Sequence, residues 1–481
     1  MENIWNSPET SSVNRLPMLN LEHPTAISLD GIWNFQLLSH PNETVRTNWR
    51  TIPVPGLWTI IDGEQPYGDS PIYTNTQMPW DHFAPEVPTE NPTGIYEREF
   101  DLSENLASKR VVLHIGATES VHILYINNQT VGAGKDSHLA SEYDITNYVK
   151  AGRNTLRIKV IKWSDATYIE DQDQWWHGGI SRSIKIYFTD QVFIERLYAT
   201  PTLLADNKTG HLKVQANINS LNNESFVDYK LQVRISPQKL TAGKGLPKKP
   251  VLVEAQVIQK AAPKWTEKTI EESQAGEDFF QSKYWSGMMP KASKAAWLAT
   301  EPIIPGPLEL HAKLPVVPWS AETPVLYEVE YILSDPNGKV VQTAMQRVGF
   351  RRIEIKGKEL LFNGQPIIFY GINRHDFNKR TGRVISKDDY RADLLALKAN
   401  NFNAVRTSHY PNDPVFLELC DELGFYVIDE ANVESHAFQN QFCDDQKYLS
   451  QIVDRIARLV QRDIHHASVV FWSLETNPEL G

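Results

Sequence analysis

Residues 1–190 alternate between apolar and polar positions and contain no long stretch with a helical period. Short β-rich runs such as 110–115 (RVVLHI) and 121–126 (VHILYI) are separated by turn residues such as Asn127 and Asn128. A period of two is typical of strands that bury one face. The pattern therefore predicts an all-β sandwich or jelly roll over residues 1–190.

Residues 191–345 continue this alternation in HLKVQANI (211–218), DYKLQVRI (228–235) and LYEVEYIL (326–333). These runs predict a second, smaller β-sandwich. Between residues 238 and 307 the chain becomes rich in Lys, Pro, Ala and Gly, as in KGLPKKP and PGP, and the pattern is lost. Such a composition favours loops. We therefore expect an insertion on the surface of the sandwich.

Residues 346–481 change to short apolar strands that alternate with helices. Ser386 followed by Asp389 is a helix N-cap pattern, and Asp413-Pro414 begins a second helix that Gly424 ends. Apolar residues share one helix face at Tyr390, Leu394 and Leu397, and again at Leu449, Ile452, Val453, Ile456, Leu459 and Val460. The predicted strands are residues 365–371, which read as buried, 402–406, 425–429 and 468–474.

Strands separated by helices favour a parallel sheet, either doubly wound or a (β/α)₈ barrel. No G-x-G-x-x-G sequence follows the first of these strands, which disfavours a dinucleotide site. In a barrel the carboxyl ends of the strands meet at one rim, where active sites of this fold lie. Polar residues follow the predicted strands at 373–375 (NRH), 406–409 (RTSH), 429–436 (DEANVESH) and 472–473 (WS).

Composition and charge narrow the class of protein. The chain has 481 residues, enough for about three domains. Its net charge of −11 gives no positive field for nucleic acid or an acidic membrane surface, and no apolar run is long enough to span a bilayer. The N-terminal sequence lacks a signal-peptide pattern, and Cys420 and Cys443 cannot build a disulfide framework. These features predict a cytoplasmic protein.

Aromatic and acidic residues suggest where chemistry lies. Thirteen Trp and eighteen Tyr suit the apolar faces of sugars, although most Trp fill cores and interfaces. Glu434 and His436, two positions apart, point to one side of an extended segment and could ligate Mg²⁺, although surface or satisfied core positions are the simpler alternative. Residues 170–173 (EDQD) precede Trp175 and Trp176, so they are either solvated turn acids or a loop that orients hydroxyl groups or a cation.

Several long motifs together resemble the β-galactosidases of glycoside hydrolase family 2. They are VPTENPTG (87–94), WSD (163–165) with EDQD, GINRH (371–375), NNFNAVRTSHYPN (400–412) and IDEANVESH (428–436). The resemblance implies a jelly-roll sugar-binding-like domain over residues 1–190 and an immunoglobulin-like β-sandwich over 191–345. It also implies that residues 346–481 form the first half of a (β/α)₈ TIM barrel that carries catalysis.

The resemblance also implies roles for residues at the barrel rim. Glu434 and His436 correspond to ligands of the active-site Mg²⁺. His375 and His409 correspond to residues that contact the galactose hydroxyl groups and the transition state. Arg406 and Glu430 are expected to organise the rim.

Two further positions belong to the first domain. Asn75, in YTNTQ, resembles the asparagine that this domain lends to the galactose site, although the following Pro-Pro of the family is absent. Asp173 resembles the residue that meets both Na⁺ and a galactose hydroxyl, with Asp171 as the alternative.

The last residues depart from the family pattern. The family's fourth strand ends in W-S-L-G-N-E-S-G-x-G, whose Glu is the acid/base and a Mg²⁺ ligand, whereas this chain has WSLETNPELG and Asn477 at that position. An amide cannot act as a general acid or base, and the nucleophile of the family comes from a later strand. One codon string for Gly-Asn-Glu-Ser-Gly-Ile-Gly encodes Glu-Thr-Asn-Pro-Glu-Leu-Gly after loss of its first base. We therefore expect a frameshift and a truncated chain.

Two functions follow as hypotheses. The first is a retaining β-galactosidase that cleaves terminal β-D-galactose from β-galactosides such as lactose, here without activity of the chain on its own. The second is a non-catalytic galactoside-binding remnant or one chain of a complementing pair. A β-galactoside is the expected ligand in both cases, with a homo-oligomer or a complementing chain as the expected assembly.

Overall fold

The N-terminal part of the chain consists of antiparallel strands. The computed structural model describes residues 3–221, 226–237, 251–256, 308–442 and 445–474. A short helix, α1 (Glu104–Ala107), and the 3₁₀ helices Ile4–Asn6 and Asp165–Ile169 join the strands. The strands are β1 (Ser12–Val13), β2 (Ile27–Ser28), β3 (Gly31–Leu38), β4 (Arg50–Val54), β5 (Gly56–Leu57), β6 (Ile72–Thr74), β7 (Thr93–Leu102), β8 (Arg110–Glu119), β9 (Val121–Ile126), β10 (Gln129–Lys135), β11 (Ser141–Asp144), β12 (Gly152–Ile161), β13 (Glu170–Asp171), β14 (Gln174–Trp176) and β15 (Gly179–Thr189).

Two of the sheets in this part form a jelly roll. One has the order β1-β10-β9-β12-β7-β3-β4, and the other has the order β11-β8-β15-β2 with β5 paired to β15. The predicted alternation explains the core, because Leu156, Ile158 and Val160 of β12 are buried while the residues between them are partly exposed. These side chains pack with Trp33 and Tyr96 between the sheets.

The second part is an immunoglobulin-like β-sandwich. Its sheets have the orders β16-β17-β20 and β19-β18-β21-β22, and inward-facing Val214, Val233 and Tyr331 share one apolar core. The strands are β16 (Val192–Leu203), β17 (Thr209–Ser220), β18 (Lys230–Pro237), β19 (Val251–Gln256), β20 (Leu308–Pro315), β21 (Tyr327–Ser334) and β22 (Val340–Val348).

The predicted insertion at residues 238–307 contains one strand of this sandwich. β19 pairs with β18, and Val253 lies opposite Val233. Val251 and Val253 pack on the sandwich core, so a short alternating run within a Lys- and Pro-rich stretch suffices to add a strand. Residues 238–250 and 257–307 lie outside the described part of the chain.

The third part begins with an antiparallel sheet, β23-β24-β25, and continues as the parallel sheet β26-β27-β28-β30. This order is that of a partial TIM barrel, as expected. Its elements are β23 (Ile353–Lys356), β24 (Glu359–Phe362), β25 (Gln365–Pro366), β26 (Gly371–Asn373), α2 (Lys387–Ala399), β27 (Ala404–Arg406), α3 (Pro414–Leu423), β28 (Tyr426–Glu430), β29 (Glu434–Ser435), the 3₁₀ helix Gln439–Phe442, α4 (Leu449–Asp463) and β30 (Val469–Ser473).

The helix boundaries follow the predicted capping residues. Ser386 accepts a hydrogen bond from the Asp389 N–H and completes a capping box at the start of α2. Asp413 caps α3, which has Pro414 at its first position and ends at Gly424. Gly424 has a φ of 76°, and a Cβ there would lie 2.2 Å from the Ala321 carbonyl oxygen, so glycine is required.

The prediction of one buried strand over residues 365–371 is wrong. Residues 365–366 belong to the antiparallel sheet and β26 begins at Gly371, while Ile368 and Tyr370 between them are 66% and 62% exposed. Within the described residues, β26 pairs only with β27. An edge strand with one neighbour leaves such apolar side chains uncovered.

Helix α4 packs on both sides, although its sequence predicts one apolar face. Leu459 is buried, and Ile452 and Ile456 contact Ala431 and Val433 of the barrel. A second face, about 100° around the helix from the first, lies against the first domain and buries four polar residues at the helical spacing, namely Gln451, Arg455, Arg458 and Arg462. Periodicity therefore located the helix but did not show that its polar face is also internal.

Hydrogen bonds and ion pairs join the polar face of α4 to the first domain. Arg455 Nη2 lies 2.6 Å from Glu170 Oε1, and Arg458 donates to the carbonyls of Leu16 and Ala140. Gln451 donates to Asp165, which is also paired with the buried Lys135. Arg455 and Lys135 are thus paired with carboxylates, as burial of a charge requires, whereas Arg458 is satisfied only by carbonyl oxygens.

Cys420 is a buried core residue of α3, and Cys443 lies outside the described residues. Within the described part of the chain, no helix has the length and apolar character needed to cross a bilayer.

Replacement of Arg455 by Ala should destabilise the chain, because Glu170 would remain buried without its ion-pair partner. Side-chain exposure at this pair is only 2% and 4%. We expect a loss of about 3–5 kcal/mol in the apparent free energy of urea unfolding.

The matched control is Arg153→Ala, which breaks the exposed pair with Glu99 and should have little effect. The double variant Arg455→Met/Glu170→Gln should recover much of the loss because no charge remains buried alone. Equal stability of the Arg455 and Arg153 variants would contradict a structural role for the buried pair.

Candidate active site

The carboxyl ends of β26, β27 and β28 bring polar side chains together at the barrel rim. His375 follows β26, His409 follows β27, and Glu430 ends β28. The imidazole rings of His375 and His409 have centroids 5.5 Å apart. Side chains from separate predicted strands therefore meet in space, as the parallel arrangement requires.

A buried carboxylate organises this rim. Glu430 is fully buried and accepts hydrogen bonds from Arg406 Nε at 2.6 Å and Arg406 Nη2 at 3.0 Å. Its Oε1 also lies 2.7 Å from His409 Nδ1. These contacts orient the His409 ring so that its other nitrogen, Nε2, points away from Glu430.

His375 is held as a neutral imidazole. Burial lowers its pKa to about 4, with further lowering by His409 and Arg383. Its Nδ1 lies 3.3 Å from the hydroxyl of Tyr410. A neutral imidazole keeps one donor and one acceptor nitrogen, which suits contact with a hydroxyl group.

The acidic loop of the first domain reaches this rim and pairs with it. β13 forms a parallel ladder with β29, in which Glu170 lies opposite Glu434 and Asp171 opposite Ser435. The Asp171 carbonyl accepts from the His436 N–H at 3.3 Å, and Asp171 Oδ2 accepts from the Ala437 N–H at 2.6 Å. Two domains thus share one backbone ladder at the site.

Glu434 is a residue of this ladder, and one oxygen of its carboxyl group has no hydrogen-bond partner within the described structure. The residue is 4% exposed, and its Oε2 makes no hydrogen bond within the described structure. Burial, followed by repulsion from Glu430 and Asp171, raises the pKa of Glu434 to about 9. An uncompensated buried carboxyl group of this kind fits a cation ligand.

The other predicted ligand, His436, follows two residues later. Its Nδ1 lies 3.1 Å from the Asn75 carbonyl oxygen. Within the described residues, no group of three or more His, Cys, Asp or Glu side chains has the arrangement of a metal site. Glu434 and His436 therefore offer part of a ligand set, and Asn477, which occupies the predicted acid/base position, lies outside the described residues.

Asn75 and Asp173 lie next to the paired strands β6 and β14. β14 is antiparallel to β6, with Gln174 opposite Thr74 and Trp175 opposite Tyr73. The Tyr73 hydroxyl donates to Asp173 Oδ1 at 2.5 Å. Asp173 is partly exposed, whereas its predicted alternative, Asp171, is fully buried against the backbone of β29.

Burial raises the pKa of Asp171 to about 7, against the opposing hydrogen bond from Ala437. Its Oδ2 is used in the domain contact, while its Oδ1 is buried and has no hydrogen-bond partner within the described structure. Asp173, which is partly exposed, offers the more accessible oxygen atoms.

Sequence reasoning missed a second layer behind the rim. Arg383 Nη1 lies 3.1 Å from Glu119, and its Nη2 donates to the Trp175 carbonyl at 2.8 Å. His138 stacks on Tyr410 with ring centroids 3.8 Å apart. Tyr410 is part of the SHYPN motif and could have been inferred from it, but Arg383 and His138 carry no local pattern that indicates these contacts.

Three family models match consecutive parts of the chain. Residues 26–190 match "Glycosyl hydrolases family 2, sugar binding domain", residues 192–351 match "Glycosyl hydrolases family 2", and residues 353–481 match "Glycosyl hydrolases family 2, TIM barrel domain".

Curated relatives of similar sequence include two β-galactosidases. That of Pseudoalteromonas haloplanktis is 33% identical over 93% of this chain and 39% of its own length. That of Photobacterium profundum is 34% identical over 94% of this chain and 40% of its own length. The chain thus spans about 40% of the length of these relatives.

Solved structures of similar fold include two β-glucuronidases. The enzyme of Bacteroides uniformis has a TM-score of 0.68 at 19% identity and covers 93% of this chain and 46% of its own. The enzyme of Ruminococcus gnavus in complex with D-glucaro-d-lactam has a TM-score of 0.68 at 19% identity. The match covers 98% of this chain and 69% of that enzyme's chain. At this identity the likeness concerns the fold alone.

Replacement of Glu434 by Gln should stabilise the chain in the presence of a chelator. At pH 8 a carboxyl group with a pKa of about 9 is buried mainly in its protonated form, so folding must take up a proton that the unfolded chain does not hold. The amide keeps the shape and avoids this cost. In EDTA at pH 8 we expect a higher thermal midpoint for the variant than for the wild-type chain. The gain in the free energy of unfolding should be about 1 kcal/mol or more. Mg²⁺ should then raise the midpoint of the wild-type chain and leave that of the variant nearly unchanged.

Glu359→Gln, at an exposed position of β24, controls for the general loss of one negative charge. A lower midpoint for Glu434→Gln than for this control in EDTA would mean that the Glu434 carboxylate is compensated in solution.

Proposed function

Because this chain belongs to glycoside hydrolase family 2, we propose that its barrel rim recognises the terminal galactose of β-galactosides such as lactose. The proposal makes the chain the galactose-binding part of a retaining β-galactosidase site. It rests on the resemblance of its motifs and on the curated β-galactosidases of similar sequence.

One observation supports this proposal most strongly. The parallel pairing of β13 with β29 brings a loop of the sugar-binding domain to the rim of the barrel. The carbonyl oxygen of Asn75 in the first domain lies 3.1 Å from His436 Nδ1 of the third. Asp173 is near enough to His375 and Glu434 for its charge to raise the pKa of both groups. A hydroxyl-rich ligand needs many hydrogen-bonding groups in fixed positions, and these side chains supply carboxylate, amide and imidazole groups.

His375 and His409 are assigned to galactose hydroxyl groups. His375 is neutral near pH 7 and can both donate and accept. His409 is positioned by Glu430, which is in turn held by Arg406. Arg406 and Glu430 are therefore positioning residues in this proposal.

Cations are part of the proposal at two places. Glu434 and His436 would hold Mg²⁺, and Asp173 would meet Na⁺. The unpartnered Oε2 of Glu434 supports the first assignment, because a divalent ion offsets the charge of a buried carboxylate and a neighbouring imidazole adds a nitrogen ligand. When bound, the cation would supply positive charge at the barrel rim.

Retaining hydrolysis needs two carboxyl groups, one that protonates the leaving oxygen and one that attacks the anomeric carbon. Asn477 stands where the family has the first of these, and an amide can neither donate nor accept the required proton. In the family, the second belongs to a later barrel strand. We therefore propose that a chain with Asn477 at the acid/base position binds the sugar without turnover.

The expected result is binding of methyl β-galactoside by the purified chain, with no hydrolysis of nitrophenyl β-galactoside. Asn477→Glu should not restore hydrolysis, since one carboxylate cannot carry out a two-carboxylate displacement. Asp173→Asn should weaken binding about tenfold or more, because a site built for a hydroxyl group depends strongly on its partner.

Calorimetry measures the affinity, with Asp101→Asn as a control at an exposed position of β7. Turnover by the wild-type chain would show that the catalytic residues are misassigned. Equal affinities of the Asp173 and Asp101 variants would remove Asp173 from the site.

A second candidate function is that of one chain of a complementing pair. The observation that favours it is the edge of β26, which has one neighbour in the described sheet, together with the exposed Ile368 and Tyr370 just before this strand. A partner that carries further barrel strands would cover these side chains and pair with the strand edge.

The test is to mix the chain with a polypeptide corresponding to the remaining barrel strands of a β-galactosidase relative. Complementation predicts a stable complex on size-exclusion chromatography and slower proteolysis within residues 365–399. Ile368→Lys should prevent complex formation, whereas Ile355→Lys, at an equally exposed position of β23, should not. Galactoside binding without any complex would favour the non-catalytic binding function.

A further inference from the structure

Two histidines meet on the outer face of the second domain. His211 lies on β17 and His311 on β20, and His211 Nε2 is 3.1 Å from His311 Nδ1. Their rings are nearly parallel, with 10° between the ring planes and 5.3 Å between the centroids. One imidazole therefore donates an N–H hydrogen bond to the unprotonated nitrogen of the other.

The antiparallel pairing of β17 with β20 brings the two rings together. In this ladder Lys213 lies opposite His311, and His211 is two positions before Lys213 on the same face. Side chains in such a diagonal arrangement are within reach of each other when they are long or aromatic. The alternate positions, Leu212 and Val214, are buried in the sandwich core. The sheet therefore holds both histidines on its solvent side at a fixed spacing.

The distance between the two nitrogen atoms matches that of two ligands on one metal ion. Imidazole nitrogens bind Zn²⁺ at about 2.0–2.1 Å, and two such bonds at an angle of about 90–109° place the nitrogens about 2.9–3.4 Å apart. The observed 3.1 Å lies within this range. Tilting of the partly exposed rings directs both lone pairs to one ion. The proton of the hydrogen bond then moves through solvent to the other nitrogen of its ring.

A carboxylate supports one of the rings from the side away from the pair. Glu309 Oε2 lies 3.7 Å from His311 Nε2, and its charge favours a proton on this nitrogen. The lone pair of His311 is then on Nδ1, towards His211, as in metal sites where a carboxylate orients the ligating imidazole. Glu309 Oε1 is paired with Lys213 Nζ at 2.9 Å, which offsets that positive charge. Lys313, opposite His211, is exposed, where charges interact weakly.

We propose that His211 and His311 bind one late first-row transition-metal ion, such as Zn²⁺ or Ni²⁺, with water completing its coordination. The ion links β17 with β20 across their ladder. Imidazole suits these metals, whereas Mg²⁺ prefers oxygen ligands. The site involves none of the residues at the barrel rim, so it does not rest on the proposed galactose function.

The test is calorimetric titration of the 481-residue chain, purified without a His tag, with Ni²⁺ in excess Mg²⁺. Magnesium ions occupy oxygen-rich sites and should not compete for two imidazoles. We expect Ni²⁺ binding that His211→Gln and His311→Gln each weaken by at least about tenfold. Ni²⁺ should also raise the thermal midpoint of the wild-type chain more than that of either variant, because it binds the folded state. Co²⁺ should bind more weakly than Ni²⁺.

His82→Gln is the matched control, because His82 is an exposed histidine outside this pair, and it should bind Ni²⁺ like the wild-type chain. Absence of Ni²⁺ binding by the wild-type chain, or equal affinities of all three variants, would overturn the site. A loss in only one of the two paired variants would also overturn it, because a single imidazole would then account for the binding. Dimerisation that requires Ni²⁺ and both histidines, seen by analytical ultracentrifugation, would place the ion between two chains and contradict a link between β17 and β20.

Discussion

The site depends on one interaction, the backbone ladder between β13 of the first domain and β29 of the third. The ladder is short, and it is supported from behind by the ion pair between Glu170 and Arg455. Because Arg455 also donates to the carbonyl of Asn432, the same side chain holds the segment before β29. This contact sets the position of the acidic loop against the barrel rim, while other contacts between the two domains support it.

The same contact concentrates negative charge. Four carboxyl groups lie near the ladder, those of Asp171, Asp173, Glu430 and Glu434. The positively charged side chains of the rim pair with only some of them. Arg406 compensates Glu430, while Glu434 keeps an unpartnered oxygen and a pKa raised to about 9. Such arrangements reduce stability and are typical of sites that bind a ligand or ion. The electrostatic cost at Glu434 therefore arises at the place where the two domains share the ladder.

Residues around the rim hold its side chains and the two domains in position. Glu430 orients His409, and Arg383 joins the loop after β26 to the β14 backbone. The buried arginine face of α4 holds the barrel against the jelly roll and allows the two domains to share a site. The open side of β26 is the exception, since its exposed apolar residues lack a cover within the described part of the chain.

Local patterns in the sequence determined the identity of most elements. Period-two alternation identified the sandwiches, and the residues around Ser386, Asp413 and Gly424 marked helix ends, because capping and left-handed geometry depend on neighbouring residues alone. The motif at 428–436 and the polar residues after each strand located the rim, since parallel strands must end on one side.

Tertiary structure alone decided how these parts meet. The pairing of Glu170 with Glu434, the burial of the arginine face of α4 and the open edge at residues 367–370 all depend on contacts between residues far apart in the chain. Periodicity shows that a side chain has a preferred face but not what lies opposite it. The unpaired carboxylate of Glu434 is likewise invisible in the sequence, because desolvation and repulsion arise only when separate segments are packed together.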